Sequence, residues 1–193
     1  MATDRPLAGE VAVVTGALGK LGPTWVTALR EAGATVVGLD VATDPAGEAT
    51  VVEQADVTDR ASVEAARERR SFLVDGLPLG SVQSRAPRGE QDLAAGLHPP
   101  ALVDNVETLA NAAGIDQPPD AAATTWLVEE VAADDFRRTV DVNLTGAFIA
   151  MQVFGPAMVA AGAGAIVNIG SLYASVAPDP RFYDHLDLDP PFL

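Results

Sequence analysis

The sequence predicts an α/β protein built on a doubly wound, mainly parallel sheet. Up to residue 70, short apolar runs rich in β-branched residues alternate with helical segments. These runs lack polar alternation, as expected for strands that helices cover on both faces. The chain has 193 residues, which corresponds to about one domain. We therefore predict a single domain spanning residues 1–193.

A glycine-rich turn lies between the first predicted strand and the first predicted helix. The strand is "VAVV" at 11–14, and the helix covers 20–32, with Pro23 in its first turn and Gly33 after its end. The turn itself reads "TGALGKLG". A turn of this kind, between a buried strand and a helix, is typical of phosphate binding.

The remaining elements follow the same alternation, with one interruption. Residues 71–105 show no sustained period and predict an irregular insertion, within which 101–105 is a rival candidate for the fourth strand. From 144 to 178 there is no charged residue, but Gly155 and Pro156 break the run, so we expect a buried helix and a strand rather than a membrane span. The further predicted strands are 34–40, 49–57, 106–110 and 164–171, and the further predicted helices are 58–70 and 134–162.

The amino-acid composition of the chain disfavours several classes of partner and site. The net charge is −15, which disfavours nucleic acid and anionic lipid as partners. There is no cysteine, which excludes disulfides and thiolate metal sites. The N-terminus lacks the apolar core of a signal peptide. We expect a cytoplasmic protein that contacts neither nucleic acid nor membrane.

The spacing of the turn favours a dinucleotide over Mg-ATP. A P-loop requires G-x-x-x-x-G-K-[ST], but here Gly16 and Gly19 stand too close to Lys20, and Leu21 replaces the hydroxyl residue. Gly16 would permit a tight turn, and Gly22 would let the helix approach the sheet. Amides at the helix start would then face a pyrophosphate.

Asp40 indicates whether the dinucleotide is NAD or NADP. It ends the second predicted strand, where a carboxylate accepts hydrogen bonds from the ribose hydroxyls of NAD and repels the 2′-phosphate of NADP. Lys20 favours the opposite choice, because it could pair with that phosphate. We expect NAD, with NADP the weaker alternative, since the carboxylate is fixed at a strand end and the lysine is free to swing into water.

Five segments in order resemble the short-chain dehydrogenase/reductase family. The turn matches its TGxxx[AG]xG pattern except at Lys20, and "ADV" at 55–57 resembles its adenine-contacting segment. "NAAG" at 111–114 is similar to its NNAG pattern, which closes over the cofactor. The resemblance implies a Rossmann-type doubly wound parallel sheet, here incomplete at the C-terminal side. The cofactor-binding residues that it implies, together with those of the turn, are Gly16, Lys20, Leu21, Asp40, Asp56, Val57, Asn111, Ala113 and Gly114.

The resemblance also implies catalytic residues. "DVNLTGAF" places Asn143 at the family's tetrad asparagine, where it would support a proton-relay water, and "GAIVNIGS" places Ser171 at the tetrad serine, which would hydrogen-bond the substrate oxygen. The tetrad also needs YxxxK, whose lysine lowers the pKa of the tyrosine that acts as general acid or base. Lys20 is the only lysine of this chain, so YxxxK does not occur in it.

Two interpretations of the missing tyrosine–lysine pair stay open. The chain is either a C-terminally truncated piece of a hydride-transferring oxidoreductase or a non-catalytic nucleotide-binding regulator. The first implies a small alcohol or carbonyl substrate and a homodimer or homotetramer. It also predicts that this chain alone binds NAD weakly or not at all and turns nothing over. We expect no metal site, and we interpret the acidic cluster "DHLDLD" at 184–189 as a solvated turn.

Overall fold

A computed structural model describes residues 5–43, 51–76, 106–115, 129, 131–171 and 174–175. In these ranges five parallel strands form one sheet in the order β3-β2-β1-β4-β5. The strands are β1 (Val11–Thr15), β2 (Thr35–Asp40), β3 (Val51–Gln54), β4 (Thr108–Asn111) and β5 (Ala165–Asn168). The helices are α1 (Gly22–Glu31), α2 (Arg60–Gly76), α3 (Ala133–Val140) and α4 (Gly146–Ala161), with a π-helical turn (Asp141–Thr145) between the last two.

This architecture confirms the predicted parallel α/β fold. The strand order reverses direction at β1, which is where a doubly wound sheet opens a crevice beyond the carboxyl ends of its strands. β2 and β5 lie inside their predicted ranges, β1 extends one residue beyond its predicted end to Thr15, and β4 is shifted toward the C-terminus. The rival strand at 101–105 lies outside the described residues.

Two boundaries differ from the sequence prediction. α2 continues to Gly76, six residues into the segment predicted to be irregular. β3 covers only 51–54, because Ala55 pairs its N–H with the carbonyl of Asp40 (2.8 Å) and Asp56 already belongs to the turn that starts α2. The strand predicted from the apolar run is therefore longer than β3. The irregular segment predicted from the loss of helical periodicity starts too early, because its first six residues belong to α2.

The sheet is covered on both faces by separate apolar clusters. On one face, Val13 and Leu109 pack with α2 and α4, whose largest buried side chain is Phe154. On the other face, Val14 and Ala110 pack against α1. Alternate residues of β1 and β4 thus enter opposite cores, and both strands are almost fully buried.

The long helical segment changes its phase at the π-helical turn. The N–H of Gly146 donates to the carbonyl of Asp141, five residues earlier, which inserts one extra residue into the helix. The apolar stripe that the sequence suggests through Phe136 and Leu144 consequently faces solvent, with 65% and 68% exposure. The face that covers the sheet instead begins at Ile149 in α4.

Among the described residues, one helical segment, Ala133–Ala161, has the length and apolar composition of a membrane span. Such a segment is also typical of the core helix of an α/β sheet. Here α4 buries Val153, Phe154 and Met158 against the sheet, so its apolar composition has a structural explanation.

Gly146 permits α4 to approach the turn after β3. A Cβ at this position would lie 2.7 Å from Val57 Cγ2 and 3.1 Å from Val57 Cβ. We expect Gly146→Ala to lower the free energy of unfolding by about 1–3 kcal/mol through overpacking. The matched control is Gly155→Ala in the same helix, where a Cβ meets nothing within 4 Å. That change should alter the free energy of unfolding by less than about 1 kcal/mol, because the gain in helix propensity is offset by the restriction that Pro156 imposes on the residue before it. Urea denaturation followed by circular dichroism measures both, and equal effects would contradict the proposed contact.

Candidate functional site

The candidate site lies at the carboxyl ends of β1, β2 and β4. Parallel pairing brings Thr15, Leu39 and Asn111 into one row across these strands. The three chain segments that continue from this row are the glycine-rich turn, the residues after Asp40, and the segment 112–115. All three therefore start from the same edge of the sheet.

Close backbone contacts define the shape of the glycine-rich turn. Gly16 has φ +66°, and a Cβ on it would lie 2.6 Å from Ala113 Cα. A Cβ on Gly22 would lie 2.2 Å from the carbonyl oxygen of Gly16. Since these neighbours are backbone atoms, they cannot move aside as a side chain would. Both glycines are required by packing, as the sequence predicts for a strand–turn–helix phosphate site.

The start of α1 offers unpaired amides. Within the described residues, the N–H groups of Lys20 and Leu21 donate no hydrogen bond, and the first turn of α1 carries no acidic side chain. The dipole of a ten-residue helix adds partial positive charge at this point. These features fit a pyrophosphate, and Lys20 and Leu21, both exposed, lie where the sequence analysis placed them.

Asp40 faces the glycine-rich turn. Its Oδ2 accepts the N–H of Leu18 (2.9 Å), and its Oδ1 accepts the N–H of Ala42 (3.0 Å). Both carboxylate oxygens are thus used to fix the side chain beside the turn. Each oxygen keeps further lone-pair capacity, so hydroxyl groups could still donate to it. An asparagine could not accept both amides at once.

Asp56 and Val57 lie in the turn between β3 and α2. Oδ1 of Asp56 accepts the N–H (2.9 Å) and the hydroxyl (2.7 Å) of Thr58, which holds the carboxylate at the start of α2. Val57 is buried against Gly146. Asp56 and Val41 border one open cavity of about 690 Å³, next to the end of β2. Asp56 is therefore available to a ligand, whereas Val57 acts through packing.

The segment 111–114 is tied to its neighbours by hydrogen bonds. The N–H of Ala113 donates to Oγ1 of Thr15 (3.1 Å), across from β4 to β1. Nδ2 of Asn111 donates to Oδ1 of Asn168 on β5 (2.8 Å). Gly114 is exposed, and a Cβ on it would lie 3.5 Å from Oδ1 of Asn143. This segment is therefore held at the sheet edge from both sides.

Asn143 holds the same segment from the helix. Its Oδ1 accepts the N–H of Ile115 (2.8 Å), and its Nδ2 donates to the carbonyl of Ile115 (2.8 Å). The residue stands in the middle of the π-helical turn, which directs the amide away from the helix axis. Each polar group of the side chain thus makes one hydrogen bond to the backbone of Ile115, and because the side chain is exposed, its second lone pair and second amide hydrogen can still bind a water molecule.

Ser171 is the candidate residue that lies farthest along the chain. It follows β5 by three positions and is exposed, and its carbonyl accepts the N–H of Ala174 (3.1 Å). Tyr173 and Tyr183 lie outside the described residues. Among the residues that the structure describes, no group of three His, Asp or Glu side chains could hold a metal ion. The geometry of the described residues fits a dinucleotide.

Sequence reasoning missed several residues that position the site. Thr15, Ile115 and Asn168 each supply one half of a hydrogen bond to a predicted site residue or its neighbour. A polar residue at the end of an otherwise apolar run was the available signal for Thr15 and Asn168. No sequence signal identifies Ile115, because it contributes only its backbone.

Thr15 offers a direct test of the bond to Ala113. Thr15→Val keeps the shape of this buried side chain but removes the acceptor, so the amide of Ala113 should exchange with solvent about fivefold faster, given a net hydrogen-bond strength of about 1 kcal/mol. Thr15→Ser keeps the acceptor and should leave the exchange rate unchanged. Amide exchange measured by NMR compares the two variants. Equal rates in the valine and serine variants would contradict the role assigned to the hydroxyl.

Comparison with known proteins agrees with this geometry. The family model for short chain dehydrogenase matches residues 98–181. D-threitol dehydrogenase of Mycolicibacterium smegmatis is 32% identical over 176 residues, covering 91% of this chain and 58% of the relative. NAD-dependent glycerol dehydrogenase of Listeria innocua is 26% identical over 183 residues, with the same coverage of 91% and 58%.

The solved structures agree on the fold. Ligand-free aldohexose dehydrogenase of Thermoplasma acidophilum superposes with a TM-score of 0.66 at 23% identity, covering 91% of this chain and 54% of that one. The present chain thus spans little more than half the length of the proteins it matches. Its sheet order, its glycine-rich turn and its sequence similarity together show that it belongs to the short-chain dehydrogenase/reductase family.

Proposed function

We propose that the chain forms the cofactor-binding part of an oxidoreductase that transfers hydride between a nicotinamide dinucleotide and a small alcohol or carbonyl compound. The observation that carries the proposal is the bond from the Leu18 amide to Asp40. It places a carboxylate beside a glycine-rich turn whose next amides, at Lys20 and Leu21, have no partner within the described residues. A pyrophosphate and its adjoining ribose need these two groups side by side.

We infer the following arrangement of the cofactor. The amides of Lys20 and Leu21 would bind the pyrophosphate, and Asp40 would accept hydrogen bonds from the ribose hydroxyls. Asp56 would contact the adenine, in the cavity that it borders with Val41. When bound, the nicotinamide supplies the hydride chemistry. The residues of this chain bind and orient the dinucleotide.

We propose small polyols as the substrate class, which extends the alcohol or carbonyl expectation. Support comes from the relatives, whose names describe dehydrogenases of D-threitol and of glycerol. In this arrangement Ser171 would hydrogen-bond the reacting oxygen, and Asn143 would support a water that relays its proton. The tyrosine and lysine that complete such a site are not supplied as YxxxK by these 193 residues.

We also propose a cytoplasmic homodimer or homotetramer. The surface of the long helical segment carries exposed apolar side chains at Phe136, Leu144, Phe148 and Val159. From Leu144 to the end of α4 no charged residue interrupts this surface, and a second copy could pack against it through the same residues.

Dinucleotide preference tests the assignment of Asp40. We expect this chain to bind NADH weakly but in preference to NADPH, as measured by quenching or enhancement of cofactor fluorescence. Asp40→Asn should shift the ratio of the two dissociation constants toward NADPH by about tenfold or more, since bonds to a charged acceptor contribute about 1.5–3 kcal/mol. Any loosening of the turn lowers both affinities alike, so the ratio isolates the charge.

Lys20→Gln in the Asp40→Asn background provides the control. If Lys20 pairs with the 2′-phosphate once the carboxylate is gone, this second change should remove the gained affinity for NADPH. If Asp40→Asn leaves the preference for NADH over NADPH unchanged, the carboxylate does not accept hydrogen bonds from the ribose.

A turnover assay tests whether the chain catalyses hydride transfer as well as binding the dinucleotide. We expect the purified chain to show no steady hydride transfer, either with NADH and a panel of ketoses or with NAD and polyols. The measurement is the change with time in the absorbance of the reduced nicotinamide. Steady turnover would show that another residue acts as the catalytic acid. The coding sequence beyond Leu193 then discriminates the two classes of protein: an in-frame YxxxK favours the oxidoreductase, and a native stop codon favours a nucleotide-binding regulator.

A further inference from the structure

Three polar side chains form a row beneath α4. Thr15, Asn111 and Asn168 are paired in register across β1, β4 and β5, each as the last residue of its strand. The residues two positions earlier on β1 and β4, Val13 and Leu109, belong to the apolar core on this face of the sheet. The row therefore marks the place where the core ends and the candidate site begins.

The two asparagines of the row are fixed in orientation by their surroundings. Nδ2 of Asn111 lies 2.8 Å from Oδ1 of Asn168 and 3.5 Å from the carbonyl oxygen of Ala147. Nδ2 of Asn168 lies 3.7 Å from Sδ of Met151. A carbonyl oxygen and a thioether sulfur can only accept, so both amide nitrogens must point toward α4. Asn111 is consequently the donor in the pair and Asn168 the acceptor.

This arrangement is unfavourable in one respect. Oδ1 of Asn111 is buried and has no hydrogen-bond partner within the described residues. Burying a carbonyl oxygen without a partner lowers stability, and two apolar side chains of similar size would avoid that cost. A structural role alone therefore explains the pair poorly.

The pair joins two segments that the proposed function needs to align. Asn111 begins the segment 111–114, which is tied to the glycine-rich turn through Ala113 and Thr15. Asn168 ends β5, and Ser171 follows three positions later. The backbone adds one further bond, from the N–H of Ile169 to the carbonyl of Asn111, but its length of 3.3 Å makes it weak.

We propose that Asn168 is a positioning residue: by accepting the Asn111 amide, it sets the end of β5, and hence Ser171, relative to the segment that covers the cofactor. The inference rests on the proposed function, because only a hydride-transfer site requires a fixed distance between the nicotinamide and the residue that holds the substrate oxygen. Small displacements between reacting groups reduce rates steeply. An exposed edge strand such as β5, with all four residues exposed, would otherwise be free to fray.

Two variants of the full chain separate this role from simple packing. Asn168→Leu has a similar volume but removes the acceptor. Asn168→Asp has the same shape and keeps an oxygen acceptor toward Asn111, and its charge is tolerated because the side chain is exposed. Hydrogen exchange read by mass spectrometry, on peptides covering 106–115 and 165–171, reports the alignment without any ligand. NADH affinity, measured by fluorescence, reports its effect on the cofactor.

We expect Asn168→Leu to accelerate exchange about fivefold in both peptides, the change that corresponds to one lost neutral hydrogen bond, and to weaken NADH binding by a similar factor. Asn168→Asp should match the wild-type chain in both measurements. Exchange in β1 and β2 should be unchanged in all three proteins, as expected for a local effect.

Each other result has a definite meaning. Wild-type exchange in Asn168→Leu, or equal acceleration in both variants, would overturn the inference, because acceptance of the Asn111 amide would then not hold the two segments. Equal NADH affinity of the wild-type chain and Asn168→Leu would also overturn it. If no protein binds NADH but the exchange contrast persists, the alignment stands and the proposed function fails.

Discussion

The contact between Gly16 and Ala113 is the constraint on which the rest of the site depends. Because no Cβ separates them, the turn after β1 and the segment after β4 lie backbone against backbone. This closeness lets the amide of Ala113 reach Thr15, and it leaves the next residue of the turn, Ala17, packed over Gly38, where a Cβ would come within 2.6 Å of the Ala17 side chain. The turn is therefore shaped by the sheet beneath it rather than by its own hydrogen bonds alone.

A site built mainly from backbone amides suits a chain of this charge. With a net charge of −15, the molecule repels free phosphate at long range, and Lys20 is its single lysine. Amides at a helix start act only over one turn, so they can bind a diphosphate without creating a general anion-binding surface. Under the proposed function, the carboxylate of Asp40 would add a second restriction, since it would accept hydroxyl groups and repel an additional phosphate. The same charges that weaken affinity thus raise selectivity.

Much of the fold could be predicted because short stretches of the sequence are enough to identify its main elements. Buried parallel strands such as β1 and β2 are continuous apolar runs, and a glycine-rich turn before a helix has a short, readable pattern. The end of α2, the short β3 and the π-helical turn could not be predicted in this way. They depend on contacts between distant segments, such as Gly146 against Val57. The amide pair of Asn111 and Asn168 is also non-local, because its members are 57 positions apart in the sequence.

Under the proposed function, the arrangement of these contacts would separate cofactor binding from catalysis within one sheet. Apart from Asp56, which follows β3, the groups suited to a dinucleotide extend from β1, β2 and β4, which are buried and paired on both sides. Ser171 alone extends from β5, which is bonded to one neighbour among the described strands and is exposed along its whole length. The backbone pairing of β5 with β4 and the Asn111–Asn168 pair hold the end of the strand that Ser171 follows. Under the proposed function, a defect at that point would displace Ser171 and the segment 111–114 relative to each other, so it would alter the reacting geometry and weaken cofactor binding through that segment.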